Sequence, residues 1–209
     1  MATFISHGLF ASLLIFIWRR KETRFRLFVM VFIASILPDI DLLINSHSRL
    51  MGHRGFFHSF FFAFIIATLF SAAFLSEVKH FYHTIVLFVI FFLAVTSHLF
   101  LDAMTQAKTG VCFFCPFSDD RIYLSFKPFM EFSGGFSVRS KNSLIVQFLL
   151  PEILMIWVPS IAFFILGLYL EGKASGKGTL NQNTLTFKPV EINRNRPKSV
   201  PKKKPPRRR

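Results

Sequence analysis

Apolar residues fall into five stretches along the first 170 positions, separated by short polar breaks. Residues 4–18 are apolar until Arg19-Arg20-Lys21 stops them. Residues 27–44 are apolar apart from their last third, which carries Pro38, Asp39 and Asp41. Residues 56–75 hold no Asp, Glu, Lys or Arg, and 84–101 hold one histidine as their only ionisable group. Residues 151–170 carry Glu152 at their start, and Pro151 suits a first helical turn. A bilayer core is crossed by roughly 20 apolar residues in helix. The pattern predicts an all-α fold, a polytopic membrane bundle of about five transmembrane or re-entrant helices. The stretch at 4–18 is the shortest and the candidate for re-entry.

Charge divides the chain. Hydrophobic residues make up 52% of it, yet 25 Lys/Arg face 11 Asp/Glu. Twelve of those 25 bases, but only two of the acids, lie in residues 171–209. The expected organisation is a membrane-embedded domain at 1–170 and a disordered basic tail at 171–209. A water-soluble nucleic-acid domain is excluded, because no soluble core would bury such long apolar runs. Two cysteines exclude a disulfide scaffold.

The bases also predict orientation. Arg19, Arg20, Lys21, Arg24 and Arg26 follow the first stretch, whereas a secretory signal carries its bases before one. The positive-inside rule makes that loop cytoplasmic. The N-terminus is then outside, the tail cytoplasmic after five crossings, and residues 45–55 and 102–150 outside. Ionisable groups within membrane segments are costly and point to function. Under this orientation they collect at one face: His7, Asp39, Asp41, His53, Arg54, His58, His98 and Asp102.

Spacing refines the set. His98 and Asp102, four apart on a helix, can grip one ion. Pro38 disfavours helix, and an extended chain after it would aim Asp39 and Asp41 the same way. Gly55 permits a turn between His53 and His58. Nitrogen and carboxylate donors suit zinc, manganese, iron or nickel, with one or two ions. Zinc and manganese are the leading candidates. The expected ligands are His7, Asp39, Asp41, His53, His58, His98 and Asp102. Asp39 or Asp102 could serve as general base, and Arg54 could hold an anionic substrate.

The blocks Pro38-Asp39-Ile40-Asp41, His53-Arg54-Gly55-Phe56-Phe57-His58-Ser59 and Ser97-His98-Leu99-Phe100-Leu101-Asp102, preceded by His7, carry a resemblance. With Pro116-Phe117-Ser118-Asp119-Asp120-Arg121, they resemble the bacterial YdjM/YbcI-like family of membrane-bound metal-dependent hydrolases. The likeness spans about 1–170 and leaves out the tail. It implies a multi-helix protein of the bacterial inner (cytoplasmic) membrane with a hydrolase role.

Cys112 and Cys115 could form a disulfide, stay as thiols or bind metal; no thioredoxin-like pattern surrounds them. The Phe-rich segment 103–150 is expected to lie along the interface and partly cover the site, with Gly134-Gly135 as a hinge. The tail suits anionic inner-leaflet lipid better than nucleic acid, since it lacks interleaved aromatics. The leading function is hydrolysis of a lipid or phosphorylated amphiphile at the periplasmic face. The alternative is a non-catalytic membrane anchor that recruits a partner or anionic lipid through its tail. A transporter fits less well, because its polar residues should continue across the membrane.

Overall fold

The computed structural model describes residues 3–18, 23–44, 52–78, 80–130 and 149–183, with side chains omitted at 43–44 and 174–183. The basic residues 19–21, the Gly134-Gly135 pair, residues 131–148 and the tail from 184 lie outside the described residues. The chain divides into two units, Met1–Tyr169 and Leu170–Arg209.

Unit 1 is mostly helical. Helix α1 (Phe4–Ser12) tightens into a 3-10 turn at Leu13–Ile17. Helix α2 (Arg24–Ile36) passes into a 3-10 turn at Leu37–Ile40, followed by the single turn α3 (Asp41–Ile44). A 3-10 turn at Phe56–His58 precedes α4 (Phe60–Ala72), and α5 covers Phe81–Ala103. A helical turn at Leu150–Glu152 and a π-helical turn at Ile153–Trp157 lead into α6 (Val158–Asn183). Helix α6 runs past residue 170, so the first part of the expected tail is helical, not coil.

Two of the five stretches have the length and apolarity to cross a membrane. They are Phe81–Ala103 and Leu150–Lys173, of 23 and 24 residues. The helices Phe4–Ile17 and Phe60–Ala72 are apolar but shorter. The stretch at 27–44 is broken by Pro38, which has no N–H to continue an α-ladder. Residues 38–40 are therefore not extended but wound into the tighter 3-10 form, and Asp41 opens the single turn α3.

Helix α5 is the spine, with α4 and α2 packed along it and α1 laid against both α2 and α5. Leu27, Val31 and Ala34 are buried at helical spacing on α2. They share a core with Ala63, Ile66 and Ala67 of α4 and with Leu87, Ile90, Phe91 and Ala94 of α5. Alanines at these crossings let the backbones approach closely. The outer faces are apolar too: Phe64 is 55% exposed, Leu69 60% and Phe163 62%. Helices apolar on every side suit lipid rather than water.

The segment after α5 folds back over the 52–60 region. Strands β1 (Thr105–Gln106) and β2 (Phe129–Met130) pair in parallel. Cys112 and Cys115 form a disulfide. Cys112 N donates to Arg54 O at 3.0 Å, and Phe60 N donates to Phe113 O at 2.9 Å.

Gly8 of α1 is packed closely against Phe32 of α2. A Cβ there would lie 2.2 Å from the Phe32 ring of α2. Gly8→Val is expected to destabilise the protein by about 1–3 kcal/mol through overpacking. Adding Phe32→Ala should recover part of that loss, as read by thermal unfolding in detergent.

Candidate metal centre

His7 comes from the first turns of α1, and Asp39 and Asp41 from the broken end of α2. His53 and Arg54 sit in the turn before α4, and His58 in its 3-10 entrance. His98 and Asp102 come from the last turns of α5. The structure brings all eight together. His80 and His83 stand apart: His83 packs edge-on against Trp18, 5.7 Å between ring centres.

Four donors converge. His58 Nε2 lies 3.2 Å from His98 Nε2, 3.3 Å from Asp102 Oδ2 and 3.7 Å from Asp39 Oδ1. His98 Nε2 lies 3.4 Å from Asp39 Oδ1. Asp39, His58, His98 and Asp102 form a group that could hold a metal ion, all four ligand atoms within 4.8 Å of one another. Ligands of a tetrahedral zinc site, at about 2.0–2.2 Å from the ion, stand roughly 3.3–3.6 Å apart. The measured separations bracket that spacing.

Proton positions favour a cation. His98 Nδ1 is 2.7 Å from the carbonyl of Ser35, which only accepts. The proton of a neutral His98 is therefore on Nδ1, and Nε2 presents a lone pair. His58 Nδ1 lies 3.0 Å from Asp41 Oδ2, though not lined up as a hydrogen bond. A carboxylate beside Nδ1 suits the His58 tautomer that a ligating Nε2 requires. Two lone pairs and two carboxylates then face one another. This is the usual dress of metal-binding histidines, whose outer nitrogen donates to a carbonyl or carboxylate.

Charge and unmet hydrogen bonds agree. Asp39, Asp41 and Asp102 crowd around His58, and Asp102 also lies 3.4 Å from Nε of the Arg54 guanidinium. Asp39 Oδ1, both oxygens of Asp102, both nitrogens of His7 and Nε of Arg54 have no hydrogen-bond partner among the described residues. Buried groups in native proteins rarely go unpaired. A divalent cation would balance the carboxylates and occupy their lone pairs. Two histidines and two carboxylates suit zinc or manganese.

The other expected ligands take outer positions. Asp41 Oδ1 lies 2.9 Å from His53 Nδ1, and its Oδ2 accepts from Arg54 N at 3.1 Å. Asp41, His53 and His58 form a second group that could hold an ion, sharing His58 with the first. His7 stacks on His98, ring centres 3.8 Å apart, and its Nε2 is 3.8 Å from Asp102 Oδ1.

Arg54 has the left-handed backbone expected of a glycine, with φ 65°, while Gly55 beside it has φ −89°. That conformation costs of order 1–3 kcal/mol in a non-glycine residue. It turns the side chain inward. The guanidinium donates to Thr105 Oγ1 and to Thr109 O, and Nε lies 3.4 Å from Asp102 Oδ2. It is 1% exposed, and these contacts engage the fork that an anionic substrate would need. Arg121 likewise donates to the carbonyls of His53, Arg54 and Gly110.

Several contributors carry no sequence signal. Ser35 acts through its main chain, and Thr105 is one hydroxyl among many. Glu152, buried, accepts from Thr3 N, Thr3 Oγ1 and Ser6 Oγ. Ser6 in turn accepts from Trp157 Nε1 at 2.8 Å. This network fixes the start of α1, one residue before His7.

The family profile described as YdjM inner membrane protein matches residues 1–174. The chain belongs to that family. Inner membrane protein YbcI of Escherichia coli (strain K12) is 29% identical over 140 residues, covering 64% of this chain and 78% of that protein. No solved structure matches. Membership of the YdjM family makes this a protein of the bacterial inner membrane. Within it, the His/Asp groups that could hold metal lie in the matched region.

Arg54→Met would leave Asp102 buried without its cation. The expected loss is about 3–5 kcal/mol. Adding Asp102→Asn should recover part of it, as measured by thermal unfolding of the detergent-solubilised protein.

Proposed function

We propose that the protein is a multi-pass, membrane-embedded, metal-dependent hydrolase whose site lies at the periplasmic end of its helices. The observation that carries this reading is the convergence of His58, His98, Asp39 and Asp102, whose ligand atoms all lie within 4.8 Å of one another. These four would hold the ion. A divalent ion in such a site supplies activation of water and polarisation of an acyl or phosphoryl oxygen.

The chain's own residues supply the rest. Asp41 and the Ser35 carbonyl hold the two imidazoles in the ligating tautomer. Arg54, with Nε 3.4 Å from Asp102 Oδ2, fixes the rotamer of that carboxylate. His7, stacked on His98 with both nitrogens unpaired, is placed to hold or pass a proton beside Asp102 Oδ1. Asp39 is the general-base candidate, because it alone of the four donors is partly exposed. His53 serves as an outer partner of Asp41, and becomes a ligand only if a second ion displaces their hydrogen bond. The apolar exterior and the buried site together favour a lipid-like amphiphile as substrate.

Protein purified without chelator should carry stoichiometric zinc or manganese, read by elemental analysis. His98→Ala and Asp102→Ala should abolish retention, and Asp41→Asn should weaken affinity roughly 10–100-fold as an outer-partner change. Chelation should lower the unfolding temperature, and added metal should restore it. Metal-free wild type, or metal content indifferent to His98→Ala and Asp102→Ala, would refute the reading.

A further inference from the structure

The four inward-facing donors differ in access. Asp39 is 10% exposed, whereas His58, His98 and Asp102 are fully buried. Asp39 opens onto a cavity of about 460 Å³ lined by Ile33, Ile36, Leu37, Asp39, Ile40 and Leu42. Asp39 is the one polar residue in that wall. Ile33, Ile40 and Leu42 are each at least 40% exposed, so the cavity opens on the outer face of α2 and the turns that follow it. Among the described residues the opposite flank is shut. There Arg54 is locked to Thr105 and Thr109, and Arg121 clasps three carbonyls of the covering segment.

We infer that the substrate reaches Asp39 sideways from the lipid, as an amphiphile with one hydrocarbon chain laid along Ile33, Leu37 and Ile40 and its polar group at Asp39. This rests on the metal-dependent reading above and adds the route and the place where the hydrocarbon chain lies. A hydrated anion would have to shed water against apolar walls, at a cost of several kcal/mol. A chain already in the bilayer exchanges lipid contacts for protein contacts at little cost. The cavity volume falls within the range of about 300–1,000 Å³ common for small-molecule sites. Selection then comes from location and shape: a molecule without a chain does not arrive.

The test uses full-length protein in lipid nanodiscs, loaded with Co²⁺, whose visible bands report changes in ligation. Dodecyl phosphate is the probe and inorganic phosphate its chainless counterpart. Dodecyl phosphate should shift the cobalt bands, and inorganic phosphate at the same concentration should not. Ile33→Trp and Ile36→Trp fill the cavity, and neither adjoins Asp39 in the chain. Each should retain stoichiometric cobalt yet lose roughly tenfold or more in apparent affinity for dodecyl phosphate. Equal responses to both phosphates, no response to dodecyl phosphate, or tryptophan variants that respond like wild type would overturn the lateral route and leave the metal reading standing. Wild-type protein that binds no stoichiometric cobalt would overturn both.

Discussion

Two imidazole nitrogens stand 3.2 Å apart beside two carboxylates, where one cation can join all four. Much of unit 1 reads as the means of holding that pair in place. Helices α4 and α5 bring the histidines together through a core whose alanines allow a close crossing. The broken end of α2 supplies Asp39 and Asp41 on two edges of the His58 ring. In a 3-10 turn successive residues step by about 120°, so carboxylates two apart diverge and can embrace a ring between them. An extended chain would have aimed both at one edge.

The same region stores cost. Three carboxylates surround one imidazole, several buried polar atoms are unpaired among the described residues, and Arg54 adopts a left-handed backbone. Such costs persist where surrounding structure over-determines them. Here the covering segment does so, through the bonds from Cys112 N to Arg54 O and from Phe60 N to Phe113 O. At the other flank, Glu152 ties the start of α1 to the turn before α6 and so places His7 over His98. Little of this cluster is explained by stability alone, since replacing buried charge with apolar side chains is often neutral or better.

Much of the arrangement was legible from the residues. The i, i+4 pair His98 and Asp102, and the gathering of polar residues at one end, follow from helical period and loop charge. The four inward donors were all among the expected ligands. What the pattern could not show was rank. Asp41 and His53 bear the same letters as inner ligands, and only tertiary distances assign them outer places. Arg54 looked free to meet a substrate, but its backbone turn buries it against Thr105. The turn itself fell on Arg54 instead of Gly55, because permissiveness in a glycine does not oblige it to bend. Helix lengths were overread where Pro38 and the 3-10 turns cut them, and helix α6 was underread beyond residue 170.

Pro38 has a further effect, on assembly. In a 3-10 turn the carbonyl of Ser35 would accept from residue 38, whose proline nitrogen has no hydrogen to give. His98 Nδ1 takes that carbonyl at 2.7 Å. The proline removes one competing donor, which leaves the Ser35 carbonyl freer to accept from α5. Helix α2 alone would lack the His98 donor. The bond that points His98 at the cluster thus also draws the two helices into contact, so that the chain acquires its chemistry in the same step in which its helices find each other.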